Sequence, residues 1–278
     1  MARKSVTLGA RLWAGAVWLF VALFVINLAA VIGTVVVSSL STRWFGTWLP
    51  AGWTVQWYAS AWSEFQLSDV LRVTFETTFL VVAISGLVGV PAAYALARRE
   101  FPGKRIVMLI LLTPLLAPPI TYGIPLATVL YSAGFGGTMS GVVMANLVPS
   151  VPFVVLVLIP FVEQIDPKIE SAARVFGAGS FQLFWHILAP LLAPGVLAAL
   201  LLVLVRTIAM FELTFLTSGP DSQTLVVALY YAVFAAGVRP EQSINAMAVV
   251  FMLTSLVWLL IALRFVNPTQ MVARSRQS

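Results

Sequence analysis

Long apolar runs alternate with short polar connections along almost the whole chain. A helix needs about 20 apolar residues to cross the hydrocarbon core of a bilayer. Six segments reach that length, at about Leu12 to Val37, Val73 to Ala97, Ile106 to Tyr131, Gly141 to Val162, Leu191 to Thr217 and Ala246 to Phe265. The first is too long for the apolar core of a signal peptide and is expected to remain as an anchor. The third carries Pro114, Pro118, Pro119 and Pro125 and is expected to be broken, because proline removes a helical donor and clashes with the preceding turn. The pattern therefore predicts an all-α membrane protein, residues 1–278 forming a single domain of six transmembrane helices.

Charge orients the spans, since cytoplasmic connections are enriched in lysine and arginine. The N-terminal end carries Arg3, Lys4 and Arg11. The second-to-third connection carries Arg98, Arg99, Lys104 and Arg105, and the C-terminal end carries Arg264, Arg274 and Arg276. The connection around Gly134 to Met139 has no charge. With six spans these basic segments fall on one side, which places both termini in the cytoplasm.

Composition agrees with this picture. Of the 278 residues, 60% are hydrophobic and 9% charged, against about 25% charged in soluble domains. The net charge of +6 sits in the short connections, so it reads as a topology signal and not as a nucleic-acid surface. There is no cysteine and one histidine, which excludes disulfides, thiolate chemistry and a multi-histidine metal site.

The outer segment from Ser38 to Arg72 holds Trp44, Trp48, Trp53, Trp57, Tyr58 and Trp62. It fits an aromatic belt at the membrane interface. A docking surface for an extracytoplasmic partner is the second reading.

The connection from Glu163 to Pro190 is long, mixed in polarity and assigned to the cytoplasm. Asp166 followed by Pro167 is a helix start. Lys168 to Phe176 is expected to be a short helix, stopped where Gly177 and Gly179 permit positive φ. Ser180 caps a second short helix, Phe181 to Leu188, which Pro190 ends. Ala172 and Ala173 are small enough to let another protein surface approach.

This stretch resembles the signature loop of permease subunits in bacterial binding-protein-dependent ABC importers. The usual pattern there is Glu-Ala-Ala, three residues, Gly, nine residues, Ile, one residue, Leu-Pro. Ser171, Ala172 and Ala173 take the Glu-Ala-Ala place, and Gly177, Ile187 and Pro190 match. Two positions depart: Ser171 replaces the glutamate, with Glu170 one place earlier, and Ala189 replaces the leucine. The order of spans around the loop also agrees, so the resemblance covers nearly the whole chain. It implies the type I importer permease fold. It also implies a loop of Glu170, Ser171, Ala172, Ala173, Arg174, Gly177, Ala178, Phe184, His186, Ile187 and Pro190 that docks on an ATP-hydrolysing subunit. The implied partners are two ATP-binding subunits, a second permease chain (related but different), an extracytoplasmic solute-binding protein and the lipid bilayer, with no nucleic acid. ATP and magnesium would be bound by the partner. This chain is then non-catalytic, and it carries no G-x-x-x-x-G-K-[ST] phosphate loop.

Ionisable groups inside spans are costly and usually functional. Arg206 and Glu212 fall within the fifth span, six residues apart, about 120° around a regular helix. Glu76 lies near the outer end of the second span and Asn146 on the outer part of the fourth. Tyr122 sits in the broken third. These five are the candidate substrate pathway, and interhelical packing is the alternative role for Arg206 and Glu212.

The stretch Gly237-Val238-Arg239-Pro240-Glu241, then Asn245-Ala246, resembles permeases of the polyamine, opine and phosphonate group. A polyamine suits Glu212 and Glu76, whereas Arg206 repels a cation. A sugar importer is the alternative. Two other classes stand beside these. A membrane enzyme needs a catalytic cluster, and His186 lies alone in the loop. An ion-gradient transporter usually shows paired broken helices, and only the third span is clearly broken.

Overall fold

The computed structural model describes residues 8–234 and 239–265. Arg3, Lys4, Arg274, Arg276, Gly237 and Val238 lie outside the described residues, as does the Arg11 side chain. Among the described residues the structure is almost all helix, with isolated bridges pairing Ser41 with Trp53 and Gly137 with Ser218. The helices are α1 (Leu8–Ser39), α2 (Gln56–Glu64), α3 (Leu67–Arg98), α4 (Lys104–Leu116), α5 (Pro119–Ser132) and α6 (Met139–Glu163). They continue with α7 (Pro167–Val175), α8 (Ser180–Ile208), α9 (Glu212–Thr217), α10 (Leu225–Phe234) and α11 (Glu241–Phe265).

Five helices, α1, α3, α6, α8 and α11, are long and apolar enough to cross a membrane. The sixth expected span is the pair α4 and α5, bent by 103°. Ala117 precedes a proline and is extended, with ψ 139, as the ring of the next residue demands. Pro118 follows with ψ 132 before α5 starts at Pro119. The prolines therefore do more than kink the segment.

Several boundaries differ from the sequence expectation: α3 and α11 start earlier, at Leu67 and Glu241, and Ser180 opens α8 instead of capping it, Gly179 before it having φ −69. Pro190 does not end a helix, because α8 runs without interruption from Ser180 to Ile208. A π-helical turn over Leu183–Leu188 makes this possible. The Ala189 N–H reaches back to the Phe184 carbonyl, five residues away, and the wider turn accommodates a residue with no donor. The expected fifth span, Leu191 to Thr217, also breaks at residues 209–211, so Glu212 opens a separate short helix.

The described chain divides into two compact units. The first comprises residues 8–64 with 239–250. Here the apolar side chains of α1 are exposed, Trp13 and Trp18 at 73% each. The C-terminal end of α1 is held by polar contacts. Asn245 Nδ2 donates to Ser38 Oγ at 2.8 Å, and Ser39 Oγ and the Tyr58 hydroxyl share a bond of 2.9 Å. Trp57 Nε1 donates to the Ser41 carbonyl at 2.7 Å, and Arg239 pairs with Glu64 at 3.2 Å. Trp48 and Phe45 are instead exposed.

The second unit comprises residues 65–234 with 251–265. Its core is α3 packed on α6 and α8 around Val81, Ala93, Val154, Leu158, Ala199 and Val203. Small residues set the spacing, as they do between helices in lipid. A Cβ on Gly89 would stand 2.6 Å from Val154 Cγ1, and one on Gly195 would stand 2.7 Å from the Phe161 ring. Gly89→Ala is therefore expected to destabilise by about 1–3 kcal/mol. Gly15→Ala, where nothing lies within 4 Å, is expected to be neutral. Thermal melts of the two purified variants check this pair.

Candidate functional site

The loop between α6 and α8 is built by local chemistry. Asp166 caps α7, its carboxylate accepting from the Lys168 N–H at 2.9 Å, and Pro167 takes the first helical position. After α7 the chain turns through Gly177, whose φ is +85°. L-residues rarely adopt that angle. Nothing lies within 4 Å of a Cβ added there, so the turn requires glycine for its backbone angle alone.

One face of α7 is anchored. Ala173 is buried with Val162, Ile165, Leu183, Leu188 and Leu192, which joins the loop to α6 and α8. Glu170 is buried and turned toward the end of α3. The Tyr94 hydroxyl donates to its Oε2 at 2.6 Å, and Arg98 Nε donates to its Oε1 at 2.7 Å. Arg98 Nη2 also donates to the Ile165 carbonyl at 2.6 Å. The carboxylate is thus held by two side chains of a transmembrane helix, and the guanidinium ties the Ile165 carbonyl, in the connection before α7, to Glu170 on α7.

The other face is bare. Ser171, Ala172, Arg174, Val175, Phe176 and Gly177 are exposed, with Val175 at 85% and Phe176 at 90%. Phe181 and Trp185 at the start of α8 are exposed as well. Of the two small residues expected to face a partner, Ala172 points outward and Ala173 points in. His186 and Pro190 are exposed, whereas Ala178, Phe184 and Ile187 are half-buried. A cavity of about 530 Å³ opens beside the anchor and is bordered by Arg99, Ser171, Arg174 and Ser180.

The second group of candidate residues lies in the spans. Asn146 is buried and bonded, donating to the Val142 carbonyl at 2.9 Å and to Thr214 Oγ1 at 3.2 Å. It ties α6 to α9. Arg206 is half-buried in the last turn of α8, its guanidinium 5.8 Å from the centre of the Phe153 ring. Glu212 is half-buried at the start of α9. Tyr122 packs near Leu130, Ala145, Met210 and Leu213. Its hydroxyl is buried and has no hydrogen-bond partner among the described residues. The structure therefore places Tyr122 against Met210 and Leu213, which stand on either side of Glu212 in the chain, and Arg206 beside Phe153. Glu76 lies on the exposed side of α3, and among the described residues no ion pair includes it.

Residues 85–270 match the family model described as binding-protein-dependent transport system inner membrane component. The chain belongs to this family. The matched region contains α7, its anchor and the whole Arg206 neighbourhood. The probable sulfate transport permease cysT of Chlorokybus atmophyticus is 34% identical over 148 residues, covering 49% of this chain and 52% of that protein. The molybdenum transport permease ModB of Haemophilus influenzae is 30% identical over 183 residues, covering 58% of this chain and 80% of that protein. The chain spans about half the length of the first curated relatives it matches. A crystal structure of a bacterial ABC transporter that imports alginate contains a chain of the same fold. Its TM-score is 0.77 at 16% identity, with 94% of this chain and 99% of that chain covered.

Within this family member, three features escaped the sequence reading. Arg98 reads locally as a topology charge, and nothing near it in sequence signals Glu170, 72 residues away. The break at 209–211 contains neither glycine nor proline. An aromatic group of Phe211, Phe215 and Tyr230 follows that break, with ring centroids 5.0–5.2 Å apart. The density of aromatics around Glu212 was its one sequence signal.

Proposed function

We propose that this chain is the membrane-spanning subunit of an ATP-driven solute importer, set in a bacterial inner membrane with both termini cytoplasmic. The observation that carries the reading is the two-faced α7 loop. Its inner face is clamped to α3 through Glu170, Arg98 and Tyr94. Its outer edge presents Val175, Phe176, Phe181 and Trp185 to solvent. A partner that grips the edge moves the transmembrane helix through the clamp. Two ATP-binding subunits supply that movement and hold the ATP and magnesium, and this chain does no catalysis.

A second permease chain, related but different, completes the pathway. Glu76 supports this, being exposed on α3 with no ion pair among the described residues, since a charge on an uncovered face within a span is costly. An extracytoplasmic binding protein delivers the solute. The solute is small, polar and organic. The polyamine reading leans on Glu212 and Glu76, and Arg206 opposes a pure polycation.

Gly177→Asp tests the coupling. A side chain at φ +85° strains the turn by about 1–2 kcal/mol, and the added charge faces the partner. The variant is expected to insert normally, retain its ATPase subunit weakly and lose solute-stimulated hydrolysis. Normal stimulation and uptake in this variant would count against the coupling role. Uptake that survives ATP depletion but not loss of the ion gradient would instead support a secondary transporter.

A further inference from the structure

Two cavities meet at Phe184 on α8. The first is the polar one beside the Glu170 anchor. The second, also about 530 Å³, is a groove between α3 and α8 in which every bordering side chain is apolar. Its α3 wall includes Ala83, Leu87, Val90 and Pro91, and the same stripe runs on to Tyr94 and Arg98 at the first cavity. These positions recur every three or four residues, so they share one face of the helix. The α8 wall extends from Ala189 to Leu200, about 16 Å of helix axis. Ala83 stands near the middle of α3, which ends at Arg98. The groove therefore follows half a span, the depth of one leaflet of a hydrocarbon core about 30 Å thick. The cavity at its end is positively charged. Among the described residues Glu170 is the one acid that borders it, and Arg98 already matches that charge at 2.7 Å. Arg99 and Arg174 border it as well, are exposed, and enter none of the ion pairs among the described residues.

We propose that this composite cavity holds an anionic phospholipid. One acyl chain lies in the groove between α3 and α8, and the headgroup phosphate lies against Arg99 and Arg174. Charge complementarity selects the occupant. A hydrocarbon chain alone fills the groove and leaves both arginines unmatched. A free phosphate satisfies the arginines and leaves Val90, Leu197 and Leu200 uncovered. A zwitterionic phospholipid brings an ammonium with its phosphate, and the two guanidinium groups repel it. Basic pockets between transmembrane helices at the cytoplasmic side suit anionic headgroups. Arg99 directly follows α3 and Arg174 lies on α7, so the lipid bridges the same two elements as the Glu170–Arg98 clamp. The site goes beyond the importer reading, which supplies only the leaflet it faces.

The test uses the full chain, with the subunits that copurify with it, in native mass spectrometry. Dioleoyl phosphatidylglycerol and dioleoyl phosphatidylcholine, which share their chains and differ in head charge, are titrated in parallel. Phosphatidylglycerol is expected to bind about tenfold or more tighter. Arg99→Gln and Arg174→Gln are each expected to bring its affinity to within a few-fold of phosphatidylcholine. Arg105 is also exposed but borders neither cavity, and Arg105→Gln is expected to keep the preference. Ala193→Phe places a ring in the groove and is expected to weaken both lipids by about tenfold. Ala83→Phe fills the groove from α3 and takes its place if that variant fails to assemble. Equal affinity of the two lipids for the wild type overturns the proposal. So does a preference that all three arginine variants lower alike, or a filled groove that leaves lipid affinity unchanged. Glycerol 3-phosphate, a head without chains, is the free-phosphate control. If it displaces phosphatidylglycerol at equal concentration, the arginines hold a phosphate alone and the lipid assignment falls. None of these readouts needs nucleotide or solute. A preparation that retains an ATPase subunit and shows no lipid preference removes the lipid site and leaves the importer reading. A lipid preference in a chain that retains no ATPase subunit does the reverse.

Discussion

Glu170→Ala is expected to abolish transport while leaving the chain inserted in the membrane. In the native protein the Glu170 and Arg98 side chains are only 11% and 14% exposed and lie 2.7 Å apart. Removing one member of a buried pair leaves the other uncompensated, a loss of about 3 kcal/mol. Arg98 would keep its bond to the Ile165 carbonyl, so the connection before α7 stays tied. Tyr94 would lose its acceptor. The helix α7 would then rest on its apolar face alone. ATPase subunits are expected to bind still, because the exposed edge is untouched, and basal hydrolysis should persist. Solute-stimulated hydrolysis and uptake should fall together. The control is the double variant Arg98→Met with Glu170→Met. Replacing both charges by apolar groups of similar reach restores much of the stability but not the polar linkage to Tyr94. Recovery of melting temperature without recovery of coupling would separate the clamp's mechanical role from its contribution to folding. Uptake at wild-type rate in Glu170→Ala would show that α7 drives the helices by another route.

What was legible in the sequence follows the range of the forces concerned. Asp166, Pro167 and Gly177 act through their own backbone or through neighbours two residues away, and each stands where its chemistry places it. The spans were legible because hydrocarbon length is a global constraint that every segment meets separately. The prolines announced the break between α4 and α5 but not its angle, which depends on what the two halves pack against. The break at 209–211 had no local signal, since Met210 and Leu213 are drawn into a core with Ala145 and Leu130 that forms only in the folded chain. The Arg206 and Glu212 argument illustrates the consequence. Six residues give about 120° on a regular helix, and that figure ceased to apply once the helix ended at Ile208. The orientation of α7 was half legible. Its amphipathic period separates Ala173 from Ala172, but which face meets α6 and α8 depends on Leu183 and Leu188.

Phe176→Asp addresses the other half of the coupling device. Phe176 is 90% exposed and Val175 beside it 85%, on a loop that has a packed apolar face elsewhere for its own stability. Their exposure therefore serves no purpose in the isolated chain. At protein interfaces a few apolar or aromatic anchors carry most of the binding energy, with losses of about 2 kcal/mol or more on truncation. A carboxylate adds the desolvation of a charge to that loss. Recovery of ATPase subunit with the tagged chain is thus expected to fall by about thirtyfold or more. Melting temperature should be unchanged, because no packing is disturbed. Phe45→Asp is the matched control. Phe45 is 91% exposed and lies between α1 and α2, which the proposed orientation puts outside, so its replacement should leave ATPase recovery intact. The pair distinguishes docking from a general penalty for charging an exposed aromatic. Equal recovery in Phe176→Asp and wild type would remove this edge from the interface. The opposite phenotypes expected for the two loop faces (partner retained but uncoupled in Glu170→Ala, partner lost in Phe176→Asp) make α7 a lever with separable ends. A loop that merely connects two spans would show neither.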